Sequence, residues 1–296
     1  MSAVRRIWTR CPAPLRRWLR GLPGFARVRA GLLFLLDPRW RSEWLLLRRS
    51  PAGLFQPLGD TAEDRYPRIF EAVREGLREV PEARLLSFGC ATGEEVFSLR
   101  RYFPRAAITG LDINPRAIAV CQRRQRRSGD IGLRFRVAAS TAAEPAQAYD
   151  AIFCMAVLRH GCLGEVRPQC CEPWIRFGDF EQTVADLARC LRPGGLLAIT
   201  HANFRFRDTP TAAGFDVVLS WKQDRQPEAT PLFGPDDTFL GEVPYNEVLF
   251  RKKPEFTACQ GPVAGIHPGI GPAGTPGSLI TDDHAPGLQG HGCLGV

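Results

Sequence analysis

Residues 84–112, RLLSFGCATGEEVFSLRRYFPRAAITGLD, constrain the fold more than any other part of the chain. A short apolar run at 85–88 ends in Gly89-Cys90-Ala91-Thr92-Gly93, and Val96, Leu99 and Phe103 then recur at helical spacing. After Pro104 a second apolar run, over 106–111, stops at Asp112, about 20 residues past Gly93. The pattern is strand, glycine turn, helix, strand, a β-α-β unit with an acid at the tip of its second strand. In such a unit glycine lets a ligand approach the backbone, the free N–H groups at the helix start face an anion, and the acid accepts both hydroxyls of a ribose. Together these parts grip a nucleoside. The plainer alternative is a tight turn, with Glu94 and Glu95 favouring a helix N-terminus and Asp112 capping the next helix.

The glycine spacing chooses among nucleosides. A dinucleotide site reads G-x-G-x-x-G, whereas this turn reads G-x-x-x-G with Ala91 between, and no Walker lysine and Ser/Thr pair follows Gly93. S-adenosylmethionine fits better, its amino acid moiety near the turn and its ribose on Asp112. The stretch 88–95, FGCATGEE, resembles the class I S-adenosylmethionine-dependent methyltransferases, and with 149–154, YDAIFC, it looks most like the catalytic domain of chemotaxis-receptor methyltransferases. The resemblance covers roughly residues 56–254. It implies an α/β, Rossmann-like fold whose mostly parallel sheet of seven strands carries a C-terminal antiparallel strand. It also implies a methyltransferase using S-adenosyl-L-methionine, with cofactor contacts from Ser87, Gly89, Cys90, Ala91, Gly93 and Glu94, then Asp112 and Ile113, Ser140, and Cys154 with Met155. Glu95 is the alternative to Glu94 for the ammonium. The chain departs from the family in having Ser87 where an acid is frequent and only Ser140, Thr141 or the more distant Glu144 for the adenine. Met155-Ala156 also stands where chemotaxis enzymes carry Arg-Asn, which argues against a receptor-glutamate substrate.

The remaining pattern agrees. An amphipathic helix spans 60–80, Asn114-Pro115 starts another that runs to about Arg127, and strands cover 131–137 and 149–155. A helix over 177–191, the turn Arg192-Pro193-Gly194-Gly195 and strands at 196–200, 215–221 and 247–251 complete the domain, with 222–246 as a lid or substrate loop. Ligands in such sheets collect beyond the strands' C-terminal ends. His160 and His201 fall there and are the candidate catalytic bases, histidine being the usual proton acceptor near neutral pH. Arg159 and Arg205 are candidates for an anionic group on the substrate.

Charge bears on partners. The net charge is +8, yet residues 1–55 hold twelve arginines against Asp37 and Glu43, so the rest of the chain is slightly acidic. That distribution disfavours nucleic acid and leaves a small molecule or a protein side chain as the acceptor. The domains expected are an Arg/Trp-rich arm at 1–55, the methyltransferase domain at 56–254, and a Gly/Pro-rich disordered tail at 255–296. The arm's longest apolar run, 32–36, is too short to span a bilayer, so it reads as a packed or partly disordered cover first and a peripheral membrane contact second. With no acid before Asp37, a transit peptide is a further reading. Ten cysteines without a C-x-x-C pair read as reduced thiols in a cytoplasmic protein. The group Cys154, His160, Cys162, Cys170 and Cys171 matches none of the usual zinc spacings, and no metal is expected. The alternative function is a non-catalytic adenosylmethionine-binding or membrane-associated interaction protein that keeps the fold.

Overall fold

A computed structural model describes residues 24–49, 53–56, 59, 61–220, 230–241 and 245–254, with isolated positions before them. The tail at 255–296, most of residues 1–23 and much of the 222–246 segment lie outside the described residues. In chain order the elements are α1 (Phe25–Leu36), α2 (Pro38–Arg49), α3 (Pro67–Gly76), β1 (Arg84–Phe88), α4 (Glu94–Tyr102), β2 (Ala107–Asp112), α5 (Pro115–Ser128) and β3 (Leu133–Val137). After these come β4 (Tyr149–Met155), α6 (Cys162–Val166), α7 (Phe177–Cys190), β5 (Leu191–Thr200), β6 (Phe215–Ser220), β7 (Leu232–Phe233), β8 (Phe239–Gly241) and β9 (Glu247–Lys252).

Seven strands form one sheet in the order β3-β2-β1-β4-β5-β9-β6, parallel except for β9, which runs antiparallel to both neighbours. This is the Rossmann-like sheet with an antiparallel C-terminal strand that the sequence implied. Each face is covered, so β4 is buried at every position and, past Asp150, reads as an apolar run. The pleat divides its side chains: Ala151 and Phe153 pack with Leu85 beneath α3, α4 and α5, while Ile152 and Cys154 pack with Leu86 against α7. At the sheet's far end Lys252 Nζ, buried, donates to Ala188 O (2.7 Å) and Leu191 O (2.9 Å), a cation closing the C-terminus of α7.

Local chemistry sets the helix starts. Asn114 Oδ1 accepts from Arg116 N (3.0 Å) and Ala117 N (3.4 Å), Pro115 fills the first turn, and Gly129 closes α5 in the left-handed region. The helix expected over 60–80 is shorter, Pro67–Gly76, because Pro67 suits only a first turn. Strand β5 begins earlier than expected, with Arg192 to Gly195 bulged out between the pairs Tyr149–Leu191 and Ala151–Leu196. The described part of the 222–246 segment is not a free lid. Leu232 and Phe233 are buried there, and Asn203 ties them down, donating to Pro231 O (2.8 Å) and accepting from Phe233 N (2.9 Å).

Candidate active site

The order β2-β1-β4 makes a topological switch between β1 and β4, and a pocket opens beyond their C-terminal ends. After β1 the chain folds over the end of β2: Gly89 N and Cys90 N both donate to Leu111 O (2.8 and 2.9 Å). Gly89 has φ +75°, and a Cβ there would meet Val157 Cγ2 at 2.4 Å, so only glycine fits. Ala91 N donates to Asp112 Oδ2 (2.8 Å) and Asn114 N to Oδ1 (2.8 Å), which fixes the carboxylate at the pocket wall. Burial raises the Asp112 pKa, against the pull of the Asn114 and Ala91 N–H groups. Gly89, Cys90, Ala91, Asp112, Ile113 and Met155 all line the pocket. Gly93 does not, serving instead as the left-handed N-cap of α4.

The two neighbouring glutamates part company, since one residue turns a helix by about 100°. Glu94 is directed away from the pocket, accepting from Thr92 Oγ1 (2.7 Å) and Arg124 Nη1 (2.9 Å). Glu95 lines the pocket, and Ser87 Oγ donates to its Oε1 (2.7 Å). Of the two glutamates, Glu95 and not Glu94 borders the pocket. Ser87 is fully buried, does not line the pocket, and is joined to it by its hydrogen bond to Glu95. Burial pushes the Glu95 pKa up to about 7, against Ser87 and the Arg65 charge.

Two further candidates lie off the pocket. Ala138 and Ala139 line the pocket after β3, while Ser140 is exposed and its Oγ accepts from Ala142 N (3.3 Å). Glu144 is committed elsewhere, to Tyr149 Oη and Arg136. Cys154 is off the pocket because strand parity turns it toward α7, where burial pushes its thiol pKa up. No local pattern marks α2 as part of the site, yet Arg39, Glu43 and Leu46 line the pocket beside Phe55. Ser42 Oγ donates to Asn114 Oδ1 (2.7 Å), fastening α2 to the cap of α5.

On the side of α3 the pocket is lined by Arg65, Tyr66 and Phe70. His201 does not line it. Its ring packs on that of Tyr66, centroids 5.9 Å apart. His160, also off the wall, is held by its backbone N–H on Asn203 Oδ1 (2.7 Å). Burial, then Arg159, lowers the His160 pKa to about 4; burial, then Arg159 and Arg65, does the same for His201. Both are neutral and weakly basic near pH 7, which suits neither to general-base work without a compensating anion. Burial pushes Tyr66 up to about 12. Tyr66 Oη, Arg159 Nε and His160 Nδ1 are buried with no hydrogen-bond partner among the described residues, the usual mark of groups that await water or a ligand. Arg205, the other candidate for an anion, pairs with Asp208 at 2.7 Å.

Backbone strain gathers along the same edge. Ala91 (φ 46°), Ala156 (φ 58°) and His201 (φ 53°) are left-handed non-glycine residues just beyond β1, β4 and β5. Among the cysteines, Cys90, Cys121, Cys154 and Cys190 are free and buried, as read, whereas Cys162 is disulfide-bonded. Among the described residues no three metal-binding side chains come together.

A family model described as a methyltransferase domain matches residues 79–230, half of the chain. The chain belongs to that methyltransferase-domain family. A malonyl-[acyl-carrier protein] O-methyltransferase of Paenibacillus sp. is 26% identical over 157 residues, which cover 51% of this chain and 51% of the relative. An uncharacterized protein of Synechococcus sp. is 30% identical over 137 residues, 45% of this chain and 29% of the relative. The chain thus spans about half or less of the length of these curated relatives. Among solved structures, a SAM-bound amino pentose methyltransferase of Micromonospora echinaspora is similar at a TM-score of 0.35 and 21% identity, over 48% of this chain and 51% of that one.

Proposed function

We propose that the chain is an S-adenosylmethionine-dependent methyltransferase whose acceptor is a small molecule or a protein side chain. The observation that carries this reading is the Asp112 carboxylate, held at the pocket wall by Ala91 N–H and Asn114 N–H, where a ribose would meet it. The other residues fit the same group. Glu95 is a desolvated carboxylate facing the pocket, suited to the ammonium of the cofactor's amino acid moiety. Ala138 and Ala139 offer a small apolar surface for a base. S-adenosylmethionine bound there supplies an electrophilic methyl on a sulfonium. The protein's share is alignment and exclusion of water, to which Phe55, Tyr66 and α2 contribute by lining the pocket.

The non-catalytic alternative drew on Ser87 in place of an acid and on the missing acid near Ser140; the buried Glu95 carboxylate on Ser87 Oγ weakens the first ground, while Ala138 and Ala139 leave the second standing. The likeness to chemotaxis-receptor enzymes rests on motif residues alone, and the Paenibacillus relative makes oxygen acceptors the first panel to assay.

The test pairs calorimetry with S-adenosylhomocysteine and transfer of a labelled methyl group into cell extract, before and after RNase. Micromolar binding, about −8 kcal/mol, with RNase-resistant transfer supports the proposal. Failure of a well-folded protein to bind S-adenosylhomocysteine refutes it, and loss of transfer after RNase moves the acceptor to RNA.

A further inference from the structure

The described part of the segment read as an arm, α1 and α2, forms a helical hairpin with an unusual outer surface. α1, FARVRAGLLFLL, is apolar on nearly every side, which in a globular protein marks a buried helix. Its inner side is indeed covered: Leu33 is 3% exposed, and Phe34 meets Trp44 of α2 edge-on at 5.2 Å. Its outer side is bare, with Val28, Leu32, Leu35 and Leu36 exposed by 63%, 47%, 69% and 59%. Those positions recur at i, i+4, i+7 and i+8, a single stripe, and Trp18 and Leu22, 62% and 39% exposed, precede it. Six of the twelve exposed large hydrophobics among the described residues thus fall between positions 18 and 36. A contiguous patch of this kind marks an interaction site.

Charge chooses the occupant. Residues 1–55 carry twelve arginines and two acids. Both acids are turned inward: Asp37 and Glu43 are each 3% exposed, Asp37 accepting from Arg39 N (3.0 Å) and Trp40 N (3.2 Å), Glu43 from Arg39 Nε (2.8 Å). The segment is strongly positive in sequence, so a second copy on the same stripe would set like charge against like. Nucleic acid would match the charge and leave the apolar stripe uncovered. An apolar face flanked by arginine and tryptophan matches the headgroup boundary of a negatively charged bilayer. At about 1.5 Å per residue α1 is about 18 Å long, short of the ~30 Å hydrocarbon core, so it would lie in the interface plane. No helix among the described residues is long and apolar enough to cross a membrane.

We propose that the outer face of α1 docks this protein peripherally on an anionic lipid bilayer. Because α2, the other arm of the hairpin, lines the pocket, a membrane-associated amphipathic acceptor follows, a corollary that rests on the methyltransferase reading.

The full chain is floated with phosphatidylcholine vesicles and with vesicles of equal phosphatidylcholine and phosphatidylglycerol, at low and high salt. Flotation with the anionic vesicles alone, lost at high salt, is expected, with about tenfold weaker association for Leu32→Glu/Leu35→Glu. Both side chains already face solvent, so the variant should match the parent in thermal unfolding and in S-adenosylhomocysteine binding. Leu35→Phe should float like the parent. Absence of flotation, or flotation unchanged in the double glutamate variant, overturns the proposal. So does a dimer by light scattering that the double variant dissociates. S-adenosylhomocysteine binding without flotation sinks docking alone, and flotation without that binding sinks the methyltransferase reading alone.

Discussion

Replacing Asp112 by alanine tests the brace and the ribose contact together. In the parent, Asp112 Oδ2 takes the Ala91 N–H and Oδ1 the Asn114 N–H, each at 2.8 Å. Alanine leaves both donors unmatched, at about 1–3 kcal/mol each when dry. They border an open pocket that water can enter, so the combined stability loss should lie near the low end, about 2 kcal/mol. Ligand affinity should fall further, because a hydrogen bond to a charged acceptor is worth about 1.5–3 kcal/mol, a tenfold to hundredfold weaker dissociation constant. Asp112→Asn keeps the size and one carbonyl acceptor but turns an NH2 toward a backbone donor, so it should lie between parent and alanine. Calorimetry with S-adenosylhomocysteine reads the affinity, and urea unfolding reads the stability. Affinity within twofold of the parent in a folded Asp112→Ala protein would refute the ribose assignment, and unchanged stability would refute the brace.

Other expectations follow from neighbouring contacts. Glu95→Gln should weaken S-adenosylhomocysteine about tenfold, whereas Glu94→Gln, which loses only a partly exposed pair with Arg124, should change it by less than about threefold; equal effects would return the contact to Glu94. The Glu95 pKa, about 7 in the fold against 4.5 unperturbed, means the fold favours the protonated acid. Its stabilisation is present below pH 4.5 and lost as pH rises toward 7, at most about 3 kcal/mol, and Glu95→Gln should remove that slope from urea titrations across the range. His201, lowered to about 4, contributes the other way, its stabilisation present above pH 6.5 and lost as pH falls toward 4; a proton NMR midpoint at 6 or above would contradict the burial described. Gly89→Ala forces a left-handed alanine against Val157, costing about 2–4 kcal/mol by thermal unfolding, with Val157→Ala relieving part of the loss.

Much of the architecture is local. The Gly89–Gly93 turn, the Asn114-Pro115 start of α5 and the apolar run of β4 each occupy a few consecutive residues, so turn chemistry, capping and side-chain period announce them directly in the sequence. The same locality explains why Asp112 was legible, since its place at the end of β2 follows from the β-α-β repeat. Its hydrogen bond to Ala91 N–H was not, because that depends on how the turn lies across two strands.

Tertiary structure decided what a one-residue rotation or a distant segment controls. A pattern cannot tell which of two adjacent glutamates faces inward, and packing of α4 chose Glu95. Nor can it reveal that Ala138 and Ala139, rather than Ser140, border the pocket, or that strand parity turns Cys154 away. Arg39, Glu43 and Leu46 reach the site only because α2 docks on the cap of α5 through Ser42 and Asn114, which are 72 residues apart. The sequence by itself determined the elements, the glycine turn and the acid at the strand tip, because these depend on neighbours along the chain. Which side chains share the pocket was settled by contacts between residues far apart in sequence, whose energies exist only once the sheet and its covering helices have packed.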